Sequence, residues 1–195
     1  MTTAVHDDRA GTGAGRARLQ EAALRLFAEH GVSGTSLQMI ADDVGVTKAA
    51  VYHHYKTKDE IVLGVVTPLV ERLQPVLEDA QAKRGRRAQV EAVLEGLVDL
   101  VIDARRVYRV MASDPCYPAL AAHEPLLQGV GEGLVALLSG PEPDEETCVT
   151  VNLFLMGLVG PLRAPDCADV ADDTMRRTLL DLGRRLLLPR RAARA

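Results

Sequence analysis

Apolar residues recur at helical spacing along most of the chain, and no stretch alternates with the period of two that a half-buried strand requires. Leu37, Ile40, Ala41 and Val44 stand at i, i+3, i+4 and i+7, one stripe of a short amphipathic helix. Thr35 stands ahead of that stripe as its N-cap, with Gln38 as the second half of a capping box. Gly45 closes the helix, because glycine takes the left-handed conformation of a tight C-terminal turn without steric cost. Thr47 then caps a second short helix. If Val51 and Tyr55 face inward on it, the 100° step turns Ala49, Tyr52, His53 and Lys56 to the opposite side. Two capped helices joined by a glycine turn make a helix-turn-helix.

The same pattern organises the remainder. A first helix over about Gly15 to His30 carries Leu19, Ala23, Leu26 and Phe27 on one face and ends at Gly31. Thr57 and Glu60 form a capping box for helix four, which runs toward Ala80 with Pro68 and Pro75 inside it, so a kink or break is expected near one of them. Val90, Val93, Leu94, Leu97 and Val101 form the stripe of helix five, and Val107, Val110 and Met111 mark a short helix six. Leu126 to Leu138 follows as another helix, weakened by Gly129, Gly131 and Gly133. Asp144, Glu145 and Glu146 cap a helix of about Glu145 to Leu162 that is apolar almost all round and therefore needs cover on every side. A last amphipathic helix carries Met175, Leu179, Leu182, Leu186 and Leu187. The expectation is an all-α chain of about nine helices: a flexible tail at 1–15, a three-helix helix-turn-helix domain at 16–60, and a larger helical domain at 61–195.

Composition adjusts this picture in a few places. With 47% hydrophobic and 26% charged residues over 195 positions the chain is globular, and with 3% aromatics its core is built from Leu, Val and Ala. The net charge of -4 argues against a nucleic-acid binder until its placement is considered. Between residues 16 and 58 six basic residues face four acidic ones, so the acidity lies elsewhere, and Asp42 and Asp43 have to point away from any phosphate. Cys116, Cys148 and Cys167 have no paired spacing and fit free thiols in a cytoplasmic protein. The start of the chain has no apolar run of the secretory kind, and the apolar run at 148–159 is too short to span a bilayer. Asp42-Asp43, Glu145-Glu146, Asp172-Asp173, His30 and His123 show neither triad nor metal-ligand spacing, so no catalytic, metal or cofactor site is expected.

The residues from Gly45 through Val-Thr-Lys-Ala-Ala-Val-Tyr-His-His-Tyr-Lys-Thr-Lys-Asp to Glu60 resemble the helix-turn-helix of the TetR family of bacterial transcriptional regulators. The likeness extends back to Arg18 and forward to about Ile61, the first third of the chain. It implies that Thr47, Lys48, Ala49, Tyr52 and His53 lie at double-stranded operator DNA, with Lys56 beside them and Gln38 reaching a base or phosphate from the preceding helix. Lys58 would hold a phosphate, and His54 would lie at the DNA edge or pack against its own domain. Ala49 offers only van der Waals contact to a thymine methyl. Arg9, Arg16 and Arg18 form either a minor-groove arm or a solvated tail. The larger domain would form a homodimer through a two-fold four-helix interface, with Val151, Leu155, Leu158, Leu179, Leu182 and Leu186 as its candidates. It would also take an apolar small-molecule effector, with Tyr108, Met111, Tyr117, His123, Asn152 and Met156 as candidate contacts and Pro68 as the pivot that relieves repression. The alternative is an architectural or constitutive DNA-binding dimer without an effector.

Overall fold

The computed structural model describes residues 8–111 and 122–188, and among them the regular structure is nine α-helices and one 3-10 turn, with no strand. Helix α1 spans Asp8–Gly34 and so begins inside the stretch expected as a tail; Gly31, at φ 72° and ψ 164°, interrupts it. Leu19, Ala23 and Phe27 are buried on its inner face, and Val32 is buried just past the break. The cap of α2 (Leu37–Val44) differs from expectation: Ser36, not Thr35, accepts the Met39 N–H, at 3.1 Å. Thr35 is buried and its hydroxyl donates to the Gly31 carbonyl at 2.8 Å, a group left over where α1 breaks. Gln38 is consequently no capping-box partner.

Gly45, at φ 74°, turns the chain into α3 (Lys48–His54), where the Thr47 hydroxyl accepts the Ala50 N–H at 3.2 Å. Thr57 caps α4 (Lys58–Ala82) by accepting the Glu60 N–H, and the Glu60 carboxylate reaches back to the Lys56 N–H at 2.6 Å. Helix α4 runs as one continuous element through both Pro68 and Pro75, so of the expected kink or break no break occurs. Pro68 leaves the carbonyl four residues earlier, that of Gly64, without its helical donor, and the Gln20 side chain supplies one at 2.7 Å. Gly64 also lets Tyr55 approach, since a Cβ there would sit 2.9 Å from the Tyr55 hydroxyl. The chain divides into two compact units at Val66, inside α4. Ile61, Val62, Val65 and Val66 are buried, so the first turns of α4 complete the core of the first unit, beyond the border at residue 60.

The second unit is built on α5 (Arg86–Asp103), whose stripe Val90, Val93, Leu94, Leu97 and Val101 is buried as expected. Around it lie α6 (Arg105–Met111), α7 (Pro125–Ser139), α8 (Glu145–Arg163), the 3-10 turn Pro165–Cys167 and α9 (Asp172–Leu187). Val130, Leu134, Val151, Phe154, Leu158, Met175 and Leu179 share the core with α5. Two glycines allow tight crossings: a Cβ on Gly96 would lie 2.4 Å from Val76, and one on Gly183 would lie 2.4 Å from Leu94. Arg105 of α6 staples the α8–α9 connection, donating to the Cys167, Ala168 and Val170 carbonyls and pairing with Asp172 at 2.9 Å. Burial lowers the Arg86 guanidinium from its usual range while it donates to the carbonyls of Leu137 and Leu138 at the end of α7. Asp144 caps α8; the hydrogen bonds from Thr147 hold its carboxyl below the usual carboxylate range.

Candidate nucleic-acid interface

Helix α3 divides into two sides. Val51 and Tyr55 are 0% exposed, while Lys48, Ala49, Tyr52 and His53 are exposed on the other side, as the spacing requires. Tyr55 is held by Arg16 of α1, whose Nε donates to its hydroxyl at 2.9 Å while the guanidinium stacks 4.9 Å from the ring centroid. That contact gives Arg16 an internal task, and Arg18 reaches the Val44 carbonyl at 3.4 Å, so neither extends from the domain as a free arm. The side chain of Arg9 lies outside the described residues.

On the outer side the Lys48 ammonium sits 5.7 Å from the Tyr52 ring centroid, which places a cation and a phenol together at the start of the exposed face. The Thr47 hydroxyl is engaged as the helix cap, and Lys56 donates to the Tyr52 carbonyl at 2.6 Å, extending the cationic edge past the end of α3. His53 and His54 meet edge to face at 5.3 Å, but they differ in setting. His53 is exposed, whereas half-buried His54 packs against α1 at Gly15, where a Cβ would lie 3.3 Å from the imidazole Nε2.

Gln38 is exposed on α2 and its amide donates to Asp42 at 2.7 Å, which orients it from the helix surface. Asp43 is drawn away by an ion pair with Arg25 at 2.6 Å, while Asp42 stays on the side of Gln38. The ammonium of Lys58, the residue expected at a phosphate, donates to the Val32 and Ser33 carbonyls at 2.9 and 3.1 Å, which ties it to the end of α1. Sequence spacing carries no sign of this contact, because the partners are 26 and 25 residues away.

The candidates on the second unit sort differently from expectation. Val151, Leu158 and Leu179, expected at an interface between chains, are buried in the core of their own chain, and Leu155 packs half-buried against it. Leu182 and Leu186 are exposed, at 47% and 40%. The outer side of α8 exposes Val149 at 68%, Leu153 at 62% and Met156 at 71%, so Met156 belongs to an uncovered apolar face and not to a pocket. Asn152 lies on this face too, its amide donating to the Cys148 carbonyl at 2.9 Å, and His123 is exposed ahead of α7. Helix spacing alone does not tell which side of each helix meets its own chain. Tyr108 packs half-buried against the core; Tyr117 and the side chain of Met111 lie outside the described residues. The concavity of about 560 Å³ between α4 and α5 is lined by Pro75, Val76, Glu91 and Gly96 among others, with none of the candidate effector residues.

Among the described residues no helix is long and apolar enough to cross a membrane, and no cluster of three metal-ligating side chains occurs. Cys148 and Cys167 are free thiols, and Cys116 lies outside the described residues.

Residues 19–65 match the family described as bacterial regulatory proteins, tetR family. The HTH-type transcriptional repressor KstR2 of Rhodococcus jostii (strain RHA1) is 32% identical over 108 residues, 53% of this chain and 50% of that protein. The chain thus spans about half the length of that relative. A longer match, 28% identical over 178 residues, covers 81% of this chain and 85% of the probable HTH-type transcriptional regulator ArpR of Pseudomonas putida. In fold, the chain is similar to the ketosteroid transcriptional regulator KstR2 of Mycobacterium tuberculosis, at TM-score 0.67 and 18% identity over 88% of this chain and 92% of that one. It is also similar to the TetR family regulator PfmR of Thermus thermophilus, at TM-score 0.64 and 21% identity over 88% and 97%.

Proposed function

We propose that the chain, whose residues 19–65 match bacterial regulatory proteins of the tetR family, is a homodimeric repressor of that family that binds double-stranded operator DNA through α3 and is released by an apolar small molecule. The observation that carries the DNA half is the division of α3, with Val51 and Tyr55 fully buried and Lys48, Ala49, Tyr52 and His53 presented together on the opposite side. Lys48 supplies charge to the phosphate backbone, Tyr52 and His53 hydrogen-bond at the groove, and Gln38 adds an oriented amide from α2. Two such helices related by a two-fold axis reach successive major grooves when they stand about 34–36 Å apart. The apolar face of α8 and α9 supports the dimer, because Val149, Leu153 and Met156, each more than 60% exposed, form an uncovered apolar patch of the kind that marks an association surface. The role involves no catalytic step and no cofactor, and it is exercised in the cytoplasm.

The effector half draws its support from the regulators and repressors among the relatives, with Tyr108 the candidate that packs against the core. An effector releases DNA only by preferring the low-affinity conformation, by about 1.4 kcal/mol for each tenfold loss of operator affinity. The outward turn of His123, Asn152 and Met156 favours a second reading, a constitutive DNA-binding dimer without an effector. Selection of genomic fragments by the purified protein at low salt tests the DNA reading, and a protein that enriches no duplex removes it. A compound that lowers operator affinity separates the two readings; one that binds equally well with and without operator leaves the constitutive binder.

A further inference from the structure

We propose that Gln20 is a positioning residue for DNA binding: by holding the Gly64 carbonyl that Pro68 leaves without its helical donor, it steadies the turn of α4 on which Tyr55, and with it the outer face of α3, is seated. This rests on the DNA-binding reading above and adds what keeps α3 in place.

Helix α3 has seven residues, too few to hold an orientation without help from its neighbours, and its fully buried anchors are Val51 and, at the C-cap, Tyr55. Whatever fixes the Tyr55 ring therefore fixes the direction in which Lys48, Ala49, Tyr52 and His53 face. Gly64 of α4 supplies the seat. A Cβ there would lie 2.9 Å from the Tyr55 hydroxyl and 3.1 Å from its ring carbon Cε1, so the phenol rests on bare backbone. Gly64 has no positive φ, so glycine serves the close approach at this position and not a turn.

Bare backbone makes a firm seat only while its polar atoms are paired. Pro68 has no N–H to give to the carbonyl of Gly64, and its ring crowds that carbonyl. Left unpaired, the carbonyl tilts out toward water and the turn bends with it. Gln20 of α1 prevents this, its Nε2 donating to the Gly64 carbonyl at 2.7 Å. Only the amide nitrogen can stand there, because the amide oxygen would set acceptor against acceptor. The same Cβ on Gly64 would lie 2.9 Å from Nε2, so the amide and the phenol meet one residue. Gln20 is half-buried beside the buried Leu19 and Ala23, and one turn from Arg16, which holds the Tyr55 hydroxyl. A polar side chain at the edge of an apolar core is accounted for by the carbonyl it serves.

Gln20→Met, Pro68→Ala and the two combined test this, with affinity measured over a range of salt on the duplex recovered by genomic selection and helicity read by circular dichroism. Methionine keeps the length of the side chain and removes the donor. Gln20→Met is expected to weaken operator binding by about fivefold or more at an unchanged salt slope, because fewer molecules hold α3 in place while no phosphate contact is lost. Pro68→Ala returns an N–H to the helix that takes the Gly64 carbonyl itself, so in that background Gln20→Met is expected to change affinity by less than about twofold. Gly64→Ala is expected to weaken binding by about tenfold or more in both backgrounds, since its methyl group displaces the phenol whether or not the carbonyl is paired; it carries the test if Gln20→Met loses its helicity. An equal loss from Gln20→Met with and without Pro68→Ala would reduce Gln20 to packing, and an unchanged affinity in Gln20→Met or Gly64→Ala would remove the seat; each overturns the proposal. A wild-type chain that enriches no duplex overturns instead the DNA-binding reading on which it rests.

Discussion

The two units spend their apolar residues in opposite ways. In the first, most large apolar side chains turn inward: Val51, Tyr55, Ile40 and Ile61 are fully buried, and the exposed side of α3 carries Lys48, Tyr52 and His53 with only the small Ala49 and Ala50 between them. In the second, α8 buries Val151, Phe154 and Leu158 on one side and exposes Val149, Leu153 and Met156 on the other. On the reading proposed above, the outer face of the first unit meets a polyanion. The outer face of the second meets another apolar surface.

A single charge placed on each helix breaks this comparison most directly. Val51→Asp puts an unpaired carboxylate into the first core and is expected to unfold that unit, at a cost above about 4 kcal/mol. Leu153→Asp lies on the uncovered face and is expected to change the stability of the single chain by no more than about 0.5 kcal/mol, yet to dissociate the dimer and with it operator binding. Denaturant unfolding and sedimentation separate the two outcomes, and equal destabilisation by both would erase the distinction between the faces. Next in size, Tyr55→Phe removes the Arg16 hydrogen bond and should cost about 0.5–1.5 kcal/mol without altering the outer face of α3.

Two lysines sharpen the comparison within the first unit. Lys48→Ala should leave stability unchanged and lower the salt dependence of DNA binding by about one charge. Lys58→Ala should do the reverse, costing about 1 kcal/mol of stability through the Val32 and Ser33 carbonyls while the salt slope stays as it was. The smallest effect belongs to Asp144→Asn. Because Thr147 holds the folded carboxyl below its ordinary value, this group contributes stability above the ordinary carboxylate range and loses it as pH falls through the depressed value. Asparagine still caps α8 but does not titrate, so the variant should match wild type at neutral pH and lose less stability on acidification, a difference read from thermal unfolding at several acid pH values.

What the sequence by itself determined is whatever depends on neighbours a few residues apart. The helix-turn-helix, the left-handed turn at Gly45, the caps at Thr47 and Thr57, the buried stripe of α5 and the outward side of α3 follow from spacings of one to eleven residues, because a helix sets those angles locally. Tertiary structure decided where several donors of the same chain compete for distant acceptors. Arg16 went to Tyr55 and Lys58 to the end of α1, and Gln20 took the carbonyl that Pro68 left open, so α4 continued where the prolines alone argued for a break. It also decided which side of α8 faces home. Periodicity sorts a helix into sides only when one side is polar, and α8 is apolar all round, so nothing local told Val151 and Leu158, which went into the core, from Leu153 and Met156, which stayed outside; the helices packed against α8 made that choice.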